Sequence, residues 1–235
     1  MVSISRNFTS KIRFVIDEFI PPIIRDQKWF MYIAFKVLYG ENAELFMNFK
    51  SNAFDLTETD FIRAYNKISL LDSRNTDLNT KCVDAILANI VGSTVLEVGC
   101  GKGYLASKMS EKYSVLATDI SIDSKTRKNN PNVKFKNANV EKLPFKDCQF
   151  DTVVCTHTLE HVQQIFSAID ELRRVAKNRL IIVVPAQKPY RYTFDLHLHF
   201  FPYAFSLAAV MNDEKKRESS IKNLDGELFY VEERK

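Results

Sequence analysis

From residue 94 onward the chain alternates short, wholly apolar runs with segments of helical period, and this rhythm restricts the fold more than any other feature. Strands are expected at Thr94–Val98, Ser114–Asp119, Val133–Lys136, Phe150–Cys155 and Arg179–Val184. Helices are expected at Tyr104–Lys112, Ser121–Arg127 and Leu159–Ala176, and another, capped by Asp77 or Asn79, carries Val83, Ile86, Leu87 and Ile90. Strands that are apolar on both sides need cover on both faces, which is the signature of a parallel sheet between helical layers. At the end, Ser219–Lys222 and Glu227–Glu232 flank Asn223-Leu-Asp-Gly226, a hairpin signal that puts one antiparallel strand into the sheet. The expected fold is therefore α/β and Rossmann-like: seven strands, mostly parallel, with a C-terminal antiparallel hairpin and an N-terminal helical cap.

The earlier part of the chain has a different period. Ile12, Val15, Ile16 and Phe19 recur at helical spacing over residues 11–20, and Pro21-Pro22 ends that helix and opens the next. Residues 23–39 carry Trp29, Ile33, Phe35 and Val37, with Gly40 as the stop. Thr57 and Asp60 resemble a capping box for a helix through about Leu71. The division expected is a helical cap or lid at 1–75 and a ligand-binding core at 76–235.

Composition narrows the class. With 46% hydrophobic and 26% charged residues, the chain of 235 is globular. Its net charge of +4 is spread out, Lys215-Lys216-Arg217 being the longest basic block, so nucleic acid is not the favoured partner. Cys82, Cys100, Cys148 and Cys155 include no C-x-x-C pair, as for free thiols in a reducing compartment. Residues 1–14 lack the apolar core of a signal peptide, and no apolar run is long enough to span a bilayer. A cytoplasmic location is expected, with peripheral membrane contact compatible and oligomeric state open.

The chemistry is concentrated in Val95-Leu96-Glu97-Val98-Gly99-Cys100-Gly101-Lys102-Gly103-Tyr104, a buried strand entering a glycine turn and then a helix. Ligands in such sheets lie beyond the carboxyl ends of the strands. The spacing is G-x-G-x-G and not the G-x-G-x-x-G that seats a pyrophosphate, which disfavours a nicotinamide enzyme. Asp119 ends the next strand, where a carboxylate can accept hydrogen bonds from both hydroxyls of a ribose; a strand-end or helix-capping Asp is the plainer alternative.

Two further segments, Asn137-Ala-Asn-Val-Glu-Lys-Leu-Pro-Phe145 and Phe150-Asp-Thr-Val-Val-Cys-Thr-His-Thr-Leu-Glu-His-Val162, complete a pattern. Together with the glycine loop and Asp119 they resemble the class I S-adenosylmethionine (SAM) dependent methyltransferases, the group with LPF, FD and LEH motifs, over roughly residues 76–185. The resemblance implies that Glu97, Gly99, Cys100, Gly101 and Gly103 line the methionine part of SAM. It implies that Asp119 holds the ribose with Ile120 against the adenine, and that Asn139 and Val140 lie at the adenine end, Asn139 standing where the family usually has Asp. The product would be S-adenosylhomocysteine. The turn after the helix at 159–176 lacks the glycines frequent in the family.

His157-Thr-Leu-Glu-His161 also fits the H-x-x-E-H zinc motif, but no third ligand is evident and no metal is expected. His157, just past the fourth strand, is the candidate general base, with His161 one turn on; a histidine bonded to backbone is the alternative for both. Asp195, His197 and His199 alternate and share one face of an extended segment, so Tyr192, His197 and His199 are candidate acceptor contacts, metal binding and an ordinary loop edge being the other readings. The aromatic stretches 29–39 and 190–205 could cover an apolar or ring-shaped acceptor, or simply fill a core. The expected activity is methyl transfer from SAM to an unidentified small-molecule, sugar or lipid-linked acceptor, the rival being a non-catalytic SAM-binding regulatory or scaffold subunit.

Overall fold

The structure is a computed structural model that describes residues 19–69, 75–189, 191–192, 195–212 and 217–234. Most of the helix expected at 11–20, the end of the one expected to reach Leu71, and Tyr190, Phe194 and Lys215-Lys216 lie outside the described residues. The chain divides into two compact units, one of residues up to Ile68 with Lys188–Leu198, the other of Ser69–Gln187 with His199–Lys235.

The smaller unit is helical: α1 (Pro22–Arg25), α2 (Lys28–Tyr39), α3 (Ala43–Asn52) and α4 (Glu58–Ser69). Proline at the first position opens α1 at no cost, because that N–H has no partner in a helix. Thr57 heads α4, its hydroxyl oxygen accepting from the Asp60 amide at 3.3 Å and its proton going to the Asp60 carboxylate at 2.8 Å. The core gathers Met31, Phe35, Phe46, Met47 and Phe61, and Tyr192 and Leu196 join it from the returning segment.

The larger unit is a seven-stranded sheet in the order β3-β2-β1-β4-β5-β7-β6. Its strands are β1 (Thr94–Val98), β2 (Ser114–Asp119), β3 (Lys134–Asn137), β4 (Phe150–Thr156), β5 (Ala176–Pro185), β6 (Ser219–Leu224) and β7 (Glu227–Glu233). The first five are parallel, and β7 runs antiparallel between β5 and β6. Asp225 and Gly226, at φ 53° and 89°, make the tight turn of the closing hairpin.

Helices α5 (Thr80–Asn89), α6 (Tyr104–Met109), α7 (Ser124–Asn129), α8 (Ile165–Val175) and α9 (Ala204–Met211) complete the unit. The strand period of two sorts the core into two layers. Leu96, Val98, Val153 and Leu180 pack in one with α8 and α9. Val95, Val115, Val154 and Ile181 pack in the other with α5 and α6. The strand order reverses between β1 and β4, where a doubly wound sheet opens its ligand crevice.

The elements follow the expected order, with shifted ends. The helix expected from Leu159 begins only at Ile165, since Thr158–Gln164 forms turns and extended backbone after a left-handed residue, His157 at φ 47°. The helix expected from Ser121 starts at Ser124, where the Asp123 carboxylate caps the Thr126 amide. Among the described residues no helix is long and apolar enough to cross a membrane.

Candidate functional site

The glycine loop after β1 is held by the neighbouring strand. The amides of Gly99 and Cys100 both donate to the Thr118 carbonyl, at 2.8 and 2.9 Å. The two leading glycines are needed for different reasons. A Cβ on Gly99 would stand 1.8 Å from Thr158 Oγ1, so a residue arriving from the β4 loop excludes any side chain there. A Cβ on Gly101 would meet nothing within 4 Å, yet its φ is 49°. Gly101 therefore faces open space, where a ligand can approach the backbone. Gly103 ends the loop as the N-cap of α6.

Two carboxylates flank this loop. Asp119 accepts from the Gly101 amide at 2.8 Å and from the Ser121 amide at 3.3 Å, with the Ile120 amide also turned to it. A carboxylate offers about four acceptor sites, so it can still take a ribose hydroxyl. Burial raises its pKa, against the pull of those amides. Glu97 is 2% exposed on the α6 side of β1, accepts from the Ala106 amide, and has Oε2 buried with no hydrogen-bond partner. Burial first, and the Asp119 charge second, push its carboxyl up to about 8. The two carboxylates make this end of the crevice acidic, and a cationic, hydroxyl-bearing ligand such as SAM fits these acceptors. Burial also pushes up the thiol of Cys100, and Ile120 is half-buried beside Asp119.

Asn139 and Val140 follow β3. The Asn139 amide oxygen accepts from the Glu141 amide at 3.0 Å, so it already closes a local turn. Val140 is 7% exposed, its side chain in the core layer with Leu143 and Phe150.

Past β4, His157 donates its amide to the Val183 carbonyl at 2.9 Å. Its Nδ1 lies 3.4 Å from Glu160 and its Nε2 3.4 Å from Glu227. Burial works against a charged imidazole here, but the Glu160 and Glu227 carboxylates prevail and push it up to about 10. The Glu227 carboxylate also accepts from the Asn79 amide at 3.2 Å, joining this loop to the start of α5. The His161 amide donates to the Thr158 carbonyl at 2.9 Å, and the His161 charge favours ionised Asp119. His199 braces the same loop, Nε2 lying 2.9 Å from the Val162 carbonyl and its amide 3.1 Å from the Glu160 carbonyl. Burial lowers the pKa of His199, and the Val162 carbonyl opposes this.

Tyr192 and His197 belong to the helical unit. Tyr192 is 7% exposed in its core, and His197 Nδ1 lies 3.4 Å from Asp195.

Three residues that no motif singled out complete the arrangement. Thr158 fixes Gly99, Glu227 holds His157, and Glu141 accepts from the Gln163 and Gln164 amides at 2.8 and 3.0 Å, tying the β3 loop to the β4 loop. Thr158 stands inside a motif that draws attention to its histidines, while Glu227 and Glu141 act across the fold and leave no local pattern.

A family model described as a methyltransferase domain matches residues 96–184. A ubiquinone biosynthesis O-methyltransferase of Paracidovorax citrulli is 34% identical over 101 residues, 39% of this chain and 42% of that protein. A 2-phytyl-1,4-naphtoquinone methyltransferase of a Nostoc species is 33% identical over 98 residues, 37% of this chain and 43% of that protein. The matched stretch thus spans less than half of these relatives. The crystal structure of a SAM dependent methyltransferase from Aquifex aeolicus superimposes with a TM-score of 0.54 at 19% identity, over 72% of this chain and 96% of that one. Residues 96–184 thus match a methyltransferase domain, and the chain shares the fold of a SAM-dependent methyltransferase.

Proposed function

We propose that the chain transfers a methyl group from SAM to a small, ring-bearing acceptor. The observation that carries this reading is the pair of carboxylates, buried Glu97 and half-buried Asp119, beside the open backbone at Gly101. When bound, SAM supplies a methyl group on a sulfonium, open to displacement by a nucleophilic acceptor. Glu97, ionised by the arriving charge, holds the methionine end. Asp119 takes the ribose, and Ile120 lies against the adenine. The Asn139 oxygen is engaged in a turn and the Val140 side chain in the core, so their share of the adenine contact falls to the main chain.

His157 serves in this reading as a strut. An imidazolium between two carboxylates keeps both N–H protons and has no lone pair for an acceptor proton. His161, one turn on in the same loop, is the better candidate to meet a ligand. Most of the rate then comes from aligning donor and acceptor and excluding water. Two relatives named for quinone methylation favour a hydroquinone or phenol over a sugar. In that role Tyr192 and His197 support the helical unit from within, while His199 shapes the β4 loop.

The test incubates the chain with SAM and a panel of hydroquinones, phenols and catechols, following release of S-adenosylhomocysteine. Release that depends on one of these acceptors supports the proposal. SAM binding with no turnover on any of them favours a regulatory subunit, and binding of NAD in place of SAM overturns both.

A further inference from the structure

We infer that the outward face of α2 docks the protein onto an anionic lipid surface. Helix α2 turns Met31 and Phe35 into its unit's core. On the other side, Trp29, Ile33 and Val37 recur every fourth residue and are 66%, 63% and 73% exposed. Ile23, just before α2, is 77% exposed. The water side of a helix is ordinarily polar, and one that is apolar all round ordinarily lies inside something.

Charge selects the occupant. Helix α2 contains no acidic residue, and Lys28 and Lys36 are both exposed. An exposed stripe with one tryptophan, branched aliphatics and flanking lysines matches the boundary between anionic headgroups and acyl chains. A twofold pairing of this face with a second copy would bring the lysines of both copies together. Twelve residues of helix make about 18 Å, too short to span a bilayer of about 30 Å, so α2 lies in the interface. The docking would bring the enzyme to a membrane-borne acceptor; that purpose rests on the proposed methyl transfer, but the docking is measured without turnover.

Trp29 is the only tryptophan of the chain, so its fluorescence reports on this face alone. The full chain is titrated with phosphatidylglycerol-rich vesicles and with phosphatidylcholine vesicles. A blue shift and co-sedimentation with the anionic vesicles are expected, weakening as salt rises. The double substitution I33D/V37D, both on exposed positions, should cut partitioning about tenfold or more and leave S-adenosylhomocysteine binding as in the parent. No shift with anionic vesicles, or equal partitioning of parent and variant, overturns the inference. A shift that follows protein concentration without lipid gives the face to a second copy, and one that follows S-adenosylhomocysteine alone gives it to the chain's own larger unit; either result also overturns it. Retained S-adenosylhomocysteine binding beside failed docking separates this inference from the methyl-transfer reading.

Discussion

Two sets of buried charge lie three strands apart in the same sheet and are treated in opposite ways. On β7, Glu232 is fully buried and fully answered. Arg173 donates to it from Nε and Nη2, at 3.0 and 2.6 Å on the nearer oxygen, and the Tyr230 hydroxyl adds a bond at 2.6 Å. Arg173 also donates to the Met211 carbonyl at 2.6 Å, closing the end of α9 onto the sheet. On β1, Glu97 is nearly as deeply buried, yet one oxygen has no partner and the charge acting on it, Asp119, is of like sign. A set that is satisfied serves stability, whereas one left short of counter-charge costs stability until a ligand completes it.

The largest expected effect breaks the satisfied set. Glu232→Ala strands the Arg173 guanidinium in the interior and should cost about 3–5 kcal/mol in urea unfolding. The protein that remains folded should bind S-adenosylhomocysteine as before. A comparable loss of affinity would show that the two sets are not separate.

Glu97→Gln should do the reverse. Removing a carboxyl held up to about 8 relieves the buried charge, stabilising the ligand-free protein above pH 8 by on the order of 2 kcal/mol. The same substitution should weaken S-adenosylhomocysteine about tenfold, by removing a charge-assisted contact. A variant both less stable and equally able to bind would contradict this.

Gly101→Val sharpens the contrast within the loop. The new side chain meets no protein atom within 4 Å but is strained at φ 49°, so unfolding should shift by only about 1–2 kcal/mol. Its affinity for S-adenosylhomocysteine should fall at least about tenfold, because the side chain occupies the ligand's approach. Normal affinity would move the ligand away from Gly101.

The last effect is in pH. Glu97 and His157 both have folded pKa values above their unfolded ones, at about 8 and about 10. The native state therefore binds more protons, and stability falls as pH rises, from about 4.5 to 8 for Glu97 and from about 6.5 to 10 for His157. His157→Gln should remove the decline above pH 8 as read by thermal melts. An unaltered alkaline decline would place its origin elsewhere.

Much of the larger unit is legible in the chain because its inner parallel strands are largely apolar on both sides and change abruptly into glycine or aspartate at the crevice, as at Val98-Gly99 and Thr118-Asp119. What hides is whatever depends on distant partners. Nothing near His157 announces Glu227, 70 residues on, and without Glu227 the histidine reads as a free base. Residues 188–198 join the helical unit although no regular period marks them. Trp29, Ile33 and Val37 cannot be told from Met31 and Phe35 by pattern, because large apolar residues recur all around α2 and only packing separates its faces.

The central claim is that the Glu97 and Asp119 carboxylates beside the glycine loop form the seat of SAM. Calorimetric titration of S-adenosylhomocysteine into the parent chain and into Asp119→Ala tests it most directly. The ribose contact is a charge-assisted pair of hydrogen bonds, so the account predicts binding by the parent and a loss of roughly 10- to 100-fold in the variant. Equal affinity in the two proteins, or no binding by the parent, would contradict it.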